Sequence, residues 1–459
     1  MAADLSTMPS VTSLLAHDRI VSLTKQFSRS LVLNWIREAV AAQRILILEN
    51  TELRSREAAV HEVVLAIELL ATRWRTGQIK RVINATGIVL HTGLGRASLC
   101  DAAIDAIVSC ARASNVELNL QNGERAVRGE QLTPAWKTLA GCEDSLIVNN
   151  NAAATLLTLQ SLCAGREVVI SRGQLIEIGG SFRLPDIFEL SGAKLREVGT
   201  TNRTRIEDYA TAIHSRTAAI LRVHPSNYEV VGFSETPQIQ QLTELAHRHN
   251  LIMIDDIGSG CLHDITRFGL PREPTFQESI AAGADVVLGS GDKLLGGPQC
   301  GIILGNADLL QVIRKHPLAR TVRVDKLALA AMSATLGEYL ADRAETLPIF
   351  QMLTTSLEQL VDRANRIVRQ LQPSHGWEIA IEEHDAEVGG GSLPGLKLQT
   401  IAISIGHRSI NEYDIAASLR AGTIPVVPRI QKERVLIDLR SVQPEEDGLL
   451  SAAVQQVIQ

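Results

Sequence analysis

Short apolar segments alternate with helix-length stretches between about residue 82 and residue 325, and this alternation restricts the fold more than any other feature of the chain. It predicts an α/β fold, with a mainly parallel sheet covered by helices on both faces. Functional sites in such sheets lie at the carboxyl ends of the strands. Polar residues that directly follow an apolar segment are therefore the first candidates for function. The clearest predicted strands are 145–148, 167–170, 218–223, 251–254 and 286–289.

One lysine follows the last of these strands, in the segment GSGDKLLGGPQCG at residues 289–301. Lys293 stands after a turn of small and polar residues, and the glycines beyond it allow the backbone to come close to a bound molecule. A lysine in this setting can form a Schiff base with pyridoxal phosphate, and Ser290 is placed to donate a hydrogen bond to a phosphate. For a lone lysine, the alternative is an ordinary surface position on a glycine-rich loop.

A pair of aspartates ends the strand at 251–254. Strand alternation would place Asp255 and Asp256 on opposite faces of the sheet. Asp256 is the candidate to bond the pyridine nitrogen of pyridoxal phosphate and keep it protonated, so that the ring can act as an electron sink. The alternative is that both aspartates cap the next helix.

The segment NNNAAATLL, residues 149–157, follows another predicted strand. It predicts a polar turn and then a helix start, whose free backbone N–H groups and dipole suit a phosphate. Asn150, Asn151 and Ala152 are the candidate contacts. The order of phosphate turn, strand with aspartate and strand with lysine is a stronger signal for a pyridoxal phosphate site than any one of the three segments.

The composition is that of an ordinary soluble globular protein, with 45% apolar and 21% charged residues. No apolar run is long enough to span a bilayer, and the start MAADLSTMPS lacks the features of a secretory signal. The six cysteines show no CxxC spacing, which indicates reduced thiols, a cytoplasmic location and no metal site. The net charge of −6 does not by itself indicate a nucleic-acid partner.

At 459 residues the chain is too long for one compact core. Residues 1–78 are predicted as a separate helical domain, because apolar residues recur there at helical spacing. Residues 79–325 are predicted as the α/β core, and residues 326–459 as a linking helix and a small α+β domain. The apolar stripe of the first domain consists of Val60, Val63, Val64, Ile67, Leu70 and Ala71.

With these residues in hand, the chain resembles the bacterial selenocysteine synthases, the L-seryl-tRNA(Sec) selenium transferases. The likeness covers nearly the whole length. The motifs that carry it are RVINATGIVLHTGLGRA (81–97), VNNNAAA (148–154), SRGQLIEIGGSFRLPD (171–186), EVGTTNRT (197–204), SNYEVVGF (226–233), DIGSG (256–260), GDKLLGGPQ (291–299), KHPLARTVRVDK (315–326), GGGSLPG (389–395) and IPVVPRI (424–430).

The resemblance implies the aspartate-aminotransferase-like fold of type I pyridoxal-phosphate enzymes, with the cofactor on Lys293. It also implies that the N-terminal domain binds tRNA and that the chain assembles into a ring-like homo-oligomer, a decamer. The implied reaction converts seryl-tRNA(Sec) to selenocysteyl-tRNA(Sec) by β-replacement through an aminoacrylyl intermediate, with selenophosphate as the selenium donor. The leaving hydroxyl needs an acid, for which Lys293 is the first candidate and Asp292 the second.

Three arginines are implied by the resemblance to hold the phosphate of the selenium donor, namely Arg96, Arg320 and Arg323. Guanidinium groups bind phosphate oxygens in a fixed bidentate geometry, which agrees with that role. The alternative for Arg320 and Arg323 is salt bridging on a helix surface.

Two positions depart from the family pattern: Gly93 stands where Asn is common, and Pro225 where Thr is usual before SNY. Gly93 lies beside Arg96 and therefore bears on the donor pocket. A second hypothesis is a pyridoxal-phosphate-dependent lyase acting on a small amino acid or amino-sugar acid, because related proteins with this core include such lyases. Those usually lack the N-terminal helical domain, so residues 1–78 favour the tRNA enzyme.

Overall fold

The structure, a computed structural model, describes residues 7–49, 55–77, 79–178 and 182–459. The chain forms two compact units, residues 1–81 and 82–459. Among the described residues, no helix is long and apolar enough to cross a membrane. Within the same ranges, no group of three or more His, Cys, Asp and Glu side chains could hold a metal ion. All six cysteines are free thiols.

The described part of the first unit consists of helices packed around one apolar core. These helices are α1 (Val11–Leu15), α2 (Asp18–Thr24), α3 (Arg29–Glu49) and α4 (Arg56–Thr76). The predicted apolar stripe faces this core: its buried members are Val63, Val64, Ile67 and Ala71. The hydroxyl of Ser55 accepts a hydrogen bond of 3.2 Å from the N–H of Ala58. This bond satisfies one of the free N–H groups at the start of α4.

The second unit alternates strands and helices up to its C-terminal third. Its strands are β1 (Ile83–Ala85), β2 (Asp144–Val148), β3 (Glu167–Ser171), β4 (Glu177–Ile178), β5 (Phe182–Arg183), β6 (Lys194–Val198), β7 (Thr217–Val223), β8 (Ile252–Gly258), β9 (Val286–Ser290), β10 (Gly301–Gly305), β11 (Trp377–Glu387), β12 (Lys397–His407), β13 (Val426–Gln431) and β14 (Arg434–Asp438). Its α-helices are α5 (Asp101–Cys110), α6 (Thr133–Ala140), α7 (Asn151–Cys163), α8 (Leu184–Ser191), α9 (Ile206–Ala212), α10 (Ile239–Arg248), α11 (Phe276–Ala281), α12 (Ala307–Lys315), α13 (Leu318–Thr321), α14 (Lys326–Leu340), α15 (Pro348–Thr354), α16 (Leu357–Gln370), α17 (Glu412–Ala421) and α18 (Asp447–Ile458).

A seven-stranded sheet forms the centre of the second unit, in the order β2-β10-β9-β8-β7-β3-β6. Strands β9, β8, β7, β3 and β6 are parallel, whereas β10 runs antiparallel to both of its neighbours. The five predicted strands correspond to β2, β3, β7, β8 and β9. Strands β6 and β10 were not predicted, because β6 is a largely exposed, charged edge strand and β10 is a short apolar run between glycines.

Alternation along the strands divides the apolar residues of this sheet between two cores, one on each face. In β8, Met253 and Ile257 belong to one core and Ile254 to the other. The same alternation sends Asp255 and Asp256 to opposite faces, as predicted. A single strand therefore directs one carboxylate towards α11 and the other towards α7.

A five-stranded sheet organises the C-terminal part, in the order β1-β13-β14-β12-β11. Three of its strands, β12, β13 and β14, overlap the segments 400–405, 424–430 and 434–439, which the sequence predicts as strands. Strand β1 pairs in parallel with β13, with Ile83 opposite Val426. Residues 83–85 thus belong to this sheet, although they fall within the range 79–325 that the sequence assigned to the α/β core.

Candidate active site

A cavity of about 230 Å³ lies at the carboxyl ends of β7, β8 and β9 and at the start of α7. Among the residues that line it are all the predicted site residues except Arg320 and Arg323. These residues are Arg96, Asn150, Asn151, Ala152, Asp256, Ser290, Asp292 and Lys293. Local sequence explains the clustering, because parallel strands end at one edge of the sheet and each of the three strands is followed by polar residues.

Lys293 is buried, with 5% of its surface exposed. Burial lowers the pKa of its amine below the ordinary value of 10.5, and the nearby Arg96 lowers it further. The loop GGGSLPG of the C-terminal part passes directly over this amine. A side chain at Gly391, whose φ is +96°, would collide with Nζ of Lys293, so glycine is required there for two reasons.

Asp256 is a buried carboxylate held by three donors. Its Oδ1 accepts hydrogen bonds from Nδ2 of Asn151 at 2.9 Å and from the N–H of Gly258 at 3.0 Å. Its Oδ2 accepts one from Oγ1 of Thr155 at 3.1 Å. Burial raises the pKa of Asp256, while these donors and the charge of Lys293 act in the opposite direction.

The neighbouring aspartate has a different environment. Asp255 accepts two hydrogen bonds from Arg222, at 2.6 and 2.8 Å, and one from Ser279 at 2.5 Å. The charge of Arg222 thus balances the carboxylate of Asp255 on the other face of the sheet. The helix-cap alternative is wrong for both aspartates, because β8 continues through them to Gly258 and no helix begins there.

The start of α7 offers free N–H groups to the cavity. The side chain of Asn150 caps the helix by accepting a hydrogen bond of 2.8 Å from the N–H of Ala153. The N–H groups of Asn151 and Ala152 belong to the first turn, where a helix has no internal acceptors. Ser290, at the end of β9, lines the same cavity. Anions bind readily to such a helix start.

Arg96 and Asp292 form an ion pair beside the lysine. Nη1 of Arg96 lies 2.7 Å from Oδ2 of Asp292, and the N–H of Ala97 donates to the main-chain oxygen of Asp292 at 3.2 Å. Arg96 itself has a left-handed backbone, with φ of +61°, which is uncommon for a residue other than glycine. These contacts fix the segment that contains Gly93 and Arg96 against the lysine turn.

Arg320 and Arg323 lie outside the cavity. Arg320 is exposed on α13. Arg323 lies 3.0 Å from Oε1 of Glu117, a carboxylate that also binds Arg125 and Arg128. Arg128 is the main cause of the lowered pKa of Glu117. Within one chain the structure therefore places Arg323 in an arginine–glutamate cluster that lies outside α13.

His224, Ser226 and Thr155 line the cavity but were not among the predicted site residues. His224 and Ser226 follow β7, so the strand-end rule that selected Asp256 and Lys293 could have found them. Thr155 lies one turn into α7, on the same side as Asn151. Only the helical spacing of four residues could have pointed to it.

The fold and the site together define an α/β protein with a seven-stranded, mainly parallel central sheet and a buried lysine just after one of its strands. The solved structure of D-glucosaminate-6-phosphate ammonia-lyase superposes on this chain with a TM-score of 0.56 at 21% sequence identity, and covers 84% of this chain and 97% of that one. The fold class predicted from the sequence is confirmed.

The chain belongs to the L-seryl-tRNA selenium transferase family. The sequence pattern of the family, described as SelA: L-seryl-tRNA selenium transferase, matches residues 82–443. The L-seryl-tRNA(Sec) selenium transferase of Alkaliphilus oremlandii (strain OhILAs) is 40% identical over 461 residues, which is 99% of this chain and 98% of the relative. That of Hyphomonas neptunium (strain ATCC 15444) is 42% identical over 445 residues, covering 95% of each chain. The predicted family, and with it the prediction of a transferase, is confirmed.

The cofactor of this family is pyridoxal phosphate, and the residues around the cavity fit it. The amine of Lys293 is buried and its pKa is lowered, which favours the neutral form that attacks an aldehyde. Oδ1 of Asn151 is buried and accepts no hydrogen bond from any described residue. Asp256 offers a carboxylate, and the start of α7 offers N–H groups for a phosphate. The cavity thus contains groups suited to the aldehyde, the pyridine nitrogen and the phosphate of the cofactor.

Proposed function

We propose that this chain converts L-seryl-tRNA(Sec) to selenocysteyl-tRNA(Sec), with selenophosphate as the selenium donor. The observation that carries the proposal is the convergence of Lys293, Asp256 and the start of α7 on one cavity, in a chain whose relatives are L-seryl-tRNA(Sec) selenium transferases. The reaction replaces the β-hydroxyl of the seryl group by selenium while the ester to the tRNA stays intact.

Lys293 holds the cofactor and then moves protons in this proposal. When bound, pyridoxal phosphate supplies an electron sink that makes removal of the Cα proton of the seryl group possible. Lys293 in its neutral form can accept that proton, because burial and Arg96 lower its pKa. The protonated amine can then donate to the β-hydroxyl, which would otherwise be a poor leaving group.

Asp256 and the start of α7 orient the cofactor. The three donors to Asp256 fix its carboxylate in the cavity, where it would pair with the pyridine nitrogen. A buried carboxylate is stabilised by a cationic partner, and a protonated pyridine nitrogen is one. Asn150, Asn151 and Ala152 would hold the phosphate through the helix start, with Ser290 as a further donor.

Asp292 has a structural role in this proposal rather than that of the acid. Its Oδ2 is already engaged by Arg96 at 2.7 Å, so it is less available to reach the leaving hydroxyl. The ion pair instead keeps the Arg96 guanidinium in the cavity, where it would bind the phosphate of selenophosphate. Nε of Arg96 is buried and has no hydrogen-bond acceptor among the described residues.

The chain is proposed to act as a homo-oligomer, a ring-like decamer. Arg320 and Arg323 are outside the cavity of their own chain, and we propose that they meet the donor phosphate in a pocket shared with a second copy. The first unit, residues 1–81, is proposed to bind the body of the tRNA. This assignment follows what the resemblance to the family implies for the N-terminal domain, and the excess of ten Lys and Arg over eight Asp and Glu in residues 1–80.

The test is to incubate the purified chain with pyridoxal phosphate, L-seryl-tRNA(Sec) and selenophosphate, and to measure the selenocysteine that hydrolysis of the ester releases from the tRNA. Lys293→Ala should give none. Omission of selenophosphate should stop the formation of selenocysteyl-tRNA(Sec). Turnover of free serine or an amino-sugar acid, with none of seryl-tRNA(Sec), would contradict the proposal and favour a lyase.

A further inference from the structure

Glu273 is a buried carboxylate that no step of the proposed reaction uses. It lies in the connection between β8 and α11, and only 1% of its side chain is exposed. A buried carboxylate without an aligned partner is costly, so each of its contacts carries weight. Its two oxygens face different parts of the active-site wall.

The first oxygen binds the loop that covers Lys293. Oε1 of Glu273 accepts a hydrogen bond of 2.6 Å from the N–H of Leu393, a residue 120 positions away. Leu393 has a left-handed backbone, with φ of +47°, which a leucine adopts only when other contacts hold it there. Gly391, two residues earlier, is the residue that packs against Nζ of Lys293. The bond to Glu273 therefore helps to fix the backbone that covers the lysine.

The second oxygen faces the histidine of the cavity wall. Oε2 of Glu273 lies 3.1 Å from Nε2 of His224 and accepts no aligned hydrogen bond from any described residue. The main-chain N–H of His224 donates to the carbonyl oxygen of Asp256 at 2.9 Å. His224 is thus held at its backbone by the strand with Asp256 and faces Glu273 with its ring. A carboxylate at this distance attracts a ring N–H and so favours the orientation in which Nε2 faces Oε2.

We infer that Glu273 is a positioning residue, which fixes the segment 389–393 over Lys293 and orients His224 in the wall of the same cavity. It acts through these two neighbours. The inference deepens the proposed function, on which it rests for the role of Lys293. The contacts join three segments that are distant in sequence. Loss of this single carboxylate should therefore loosen both the segment 389–393 over Lys293 and the ring of His224.

Two variants separate the two contacts. Glu273→Ala removes both, whereas Glu273→Gln keeps an uncharged oxygen that can accept from the N–H of Leu393. Glu235→Ala is the matched control, because Glu235 lines the neighbouring cavity of about 530 Å³ with Glu273 but pairs with Arg203 at 2.8 Å instead. None of these changes alters a side chain that holds the cofactor.

The first measurement is amide hydrogen exchange in peptides that cover residues 389–393 of the cofactor-free chain. Loss of a hydrogen bond to a charged acceptor should speed exchange there by about 10- to 100-fold in Glu273→Ala. Glu273→Gln and Glu235→Ala should stay near the unsubstituted chain. If Glu273→Ala does not fold, Glu273→Asp, whose shorter side chain withdraws the carboxylate from the N–H of Leu393, should also show faster exchange there.

The second measurement is turnover of the loaded enzyme. Glu273→Ala and His224→Gln should each lower kcat by about 10- to 100-fold, with little change in KM for seryl-tRNA(Sec). Glu273→Gln should recover kcat in part. Exchange at residues 389–393 that is unchanged in a folded Glu273→Ala would overturn the inference. Because exchange needs no substrate, that result is distinct from a failure of the proposed reaction.

Discussion

Replacement of Gly391 by alanine tests whether the loop GGGSLPG must pack closely over the amine of Lys293. The new methyl group would meet Nζ, Cε and Cδ of Lys293. The residue also has φ of +96°, a conformation that costs an alanine about 1–3 kcal/mol. The substitution therefore has a backbone cost and, separately, a collision with the lysine.

A second glycine allows the two costs to be separated. Gly232 has φ of +108°, but no atom lies within 4 Å of the position that its methyl group would take. Both variants should lose about 1–3 kcal/mol locally from the backbone alone. Only Gly391→Ala must also push the lysine off its rotamer, at about 0.5–1.5 kcal/mol, and strain the bond between Leu393 and Glu273.

The collision should appear in cofactor binding rather than in overall stability. With roughly 1.4 kcal/mol per factor of ten, the rotamer cost should weaken formation of the lysine-bound cofactor by about 2- to 12-fold in Gly391→Ala. Absorbance titration with pyridoxal phosphate measures this, and thermal unfolding of both cofactor-free variants measures the shared backbone cost. Equal cofactor affinity in Gly391→Ala and Gly232→Ala would refute the reasoning.

Three further changes test other parts of the chain. Lys293→Met should raise the free energy of unfolding of the cofactor-free chain at neutral pH, because the pKa of Lys293 in the folded chain is lowered from 10.5. The unfolded chain therefore binds one more proton than the folded chain at pH values between the two pKa values, and the stability of the unsubstituted chain should rise towards pH 10.5. Unfolding measured at several pH values should show that the difference in stability between the variant and the unsubstituted chain shrinks as pH rises. Arg320→Ala should weaken the use of selenophosphate, measured as its KM, while the cofactor's absorbance and tRNA binding stay almost intact; loss of the absorbance would instead assign Arg320 to the cofactor. Deletion of residues 1–75 should abolish stable binding of seryl-tRNA(Sec) in a filter-binding assay but spare cofactor uptake, and unchanged tRNA affinity would refute the assignment of the first unit.

Much of the site could be predicted because its parts are local in sequence. Lys293 and the turn before α7 each follow a strand whose apolar run is visible in the chain, and Asp256 stands just after the apolar run of β8. A parallel sheet brings such strand ends to one edge without any further information. The opposite faces taken by Asp255 and Asp256 follow from the two-residue period of a strand. For these residues, sequence pattern and backbone geometry were sufficient.

Only the tertiary structure decided which distant segments complete the site. Arg96 and Asp292 form an ion pair across 196 positions of sequence, and Glu273 binds Leu393 across 120 positions. No periodicity in the sequence predicts such contacts, because they depend on how separate segments of the second unit pack together. The same holds for β1, which precedes the large sheet in sequence but pairs with β13. The local sequence pattern therefore determined which reactive side chains stand at the strand ends. Packing between distant segments determined which loop covers Lys293 and which arginines of one chain reach its cavity.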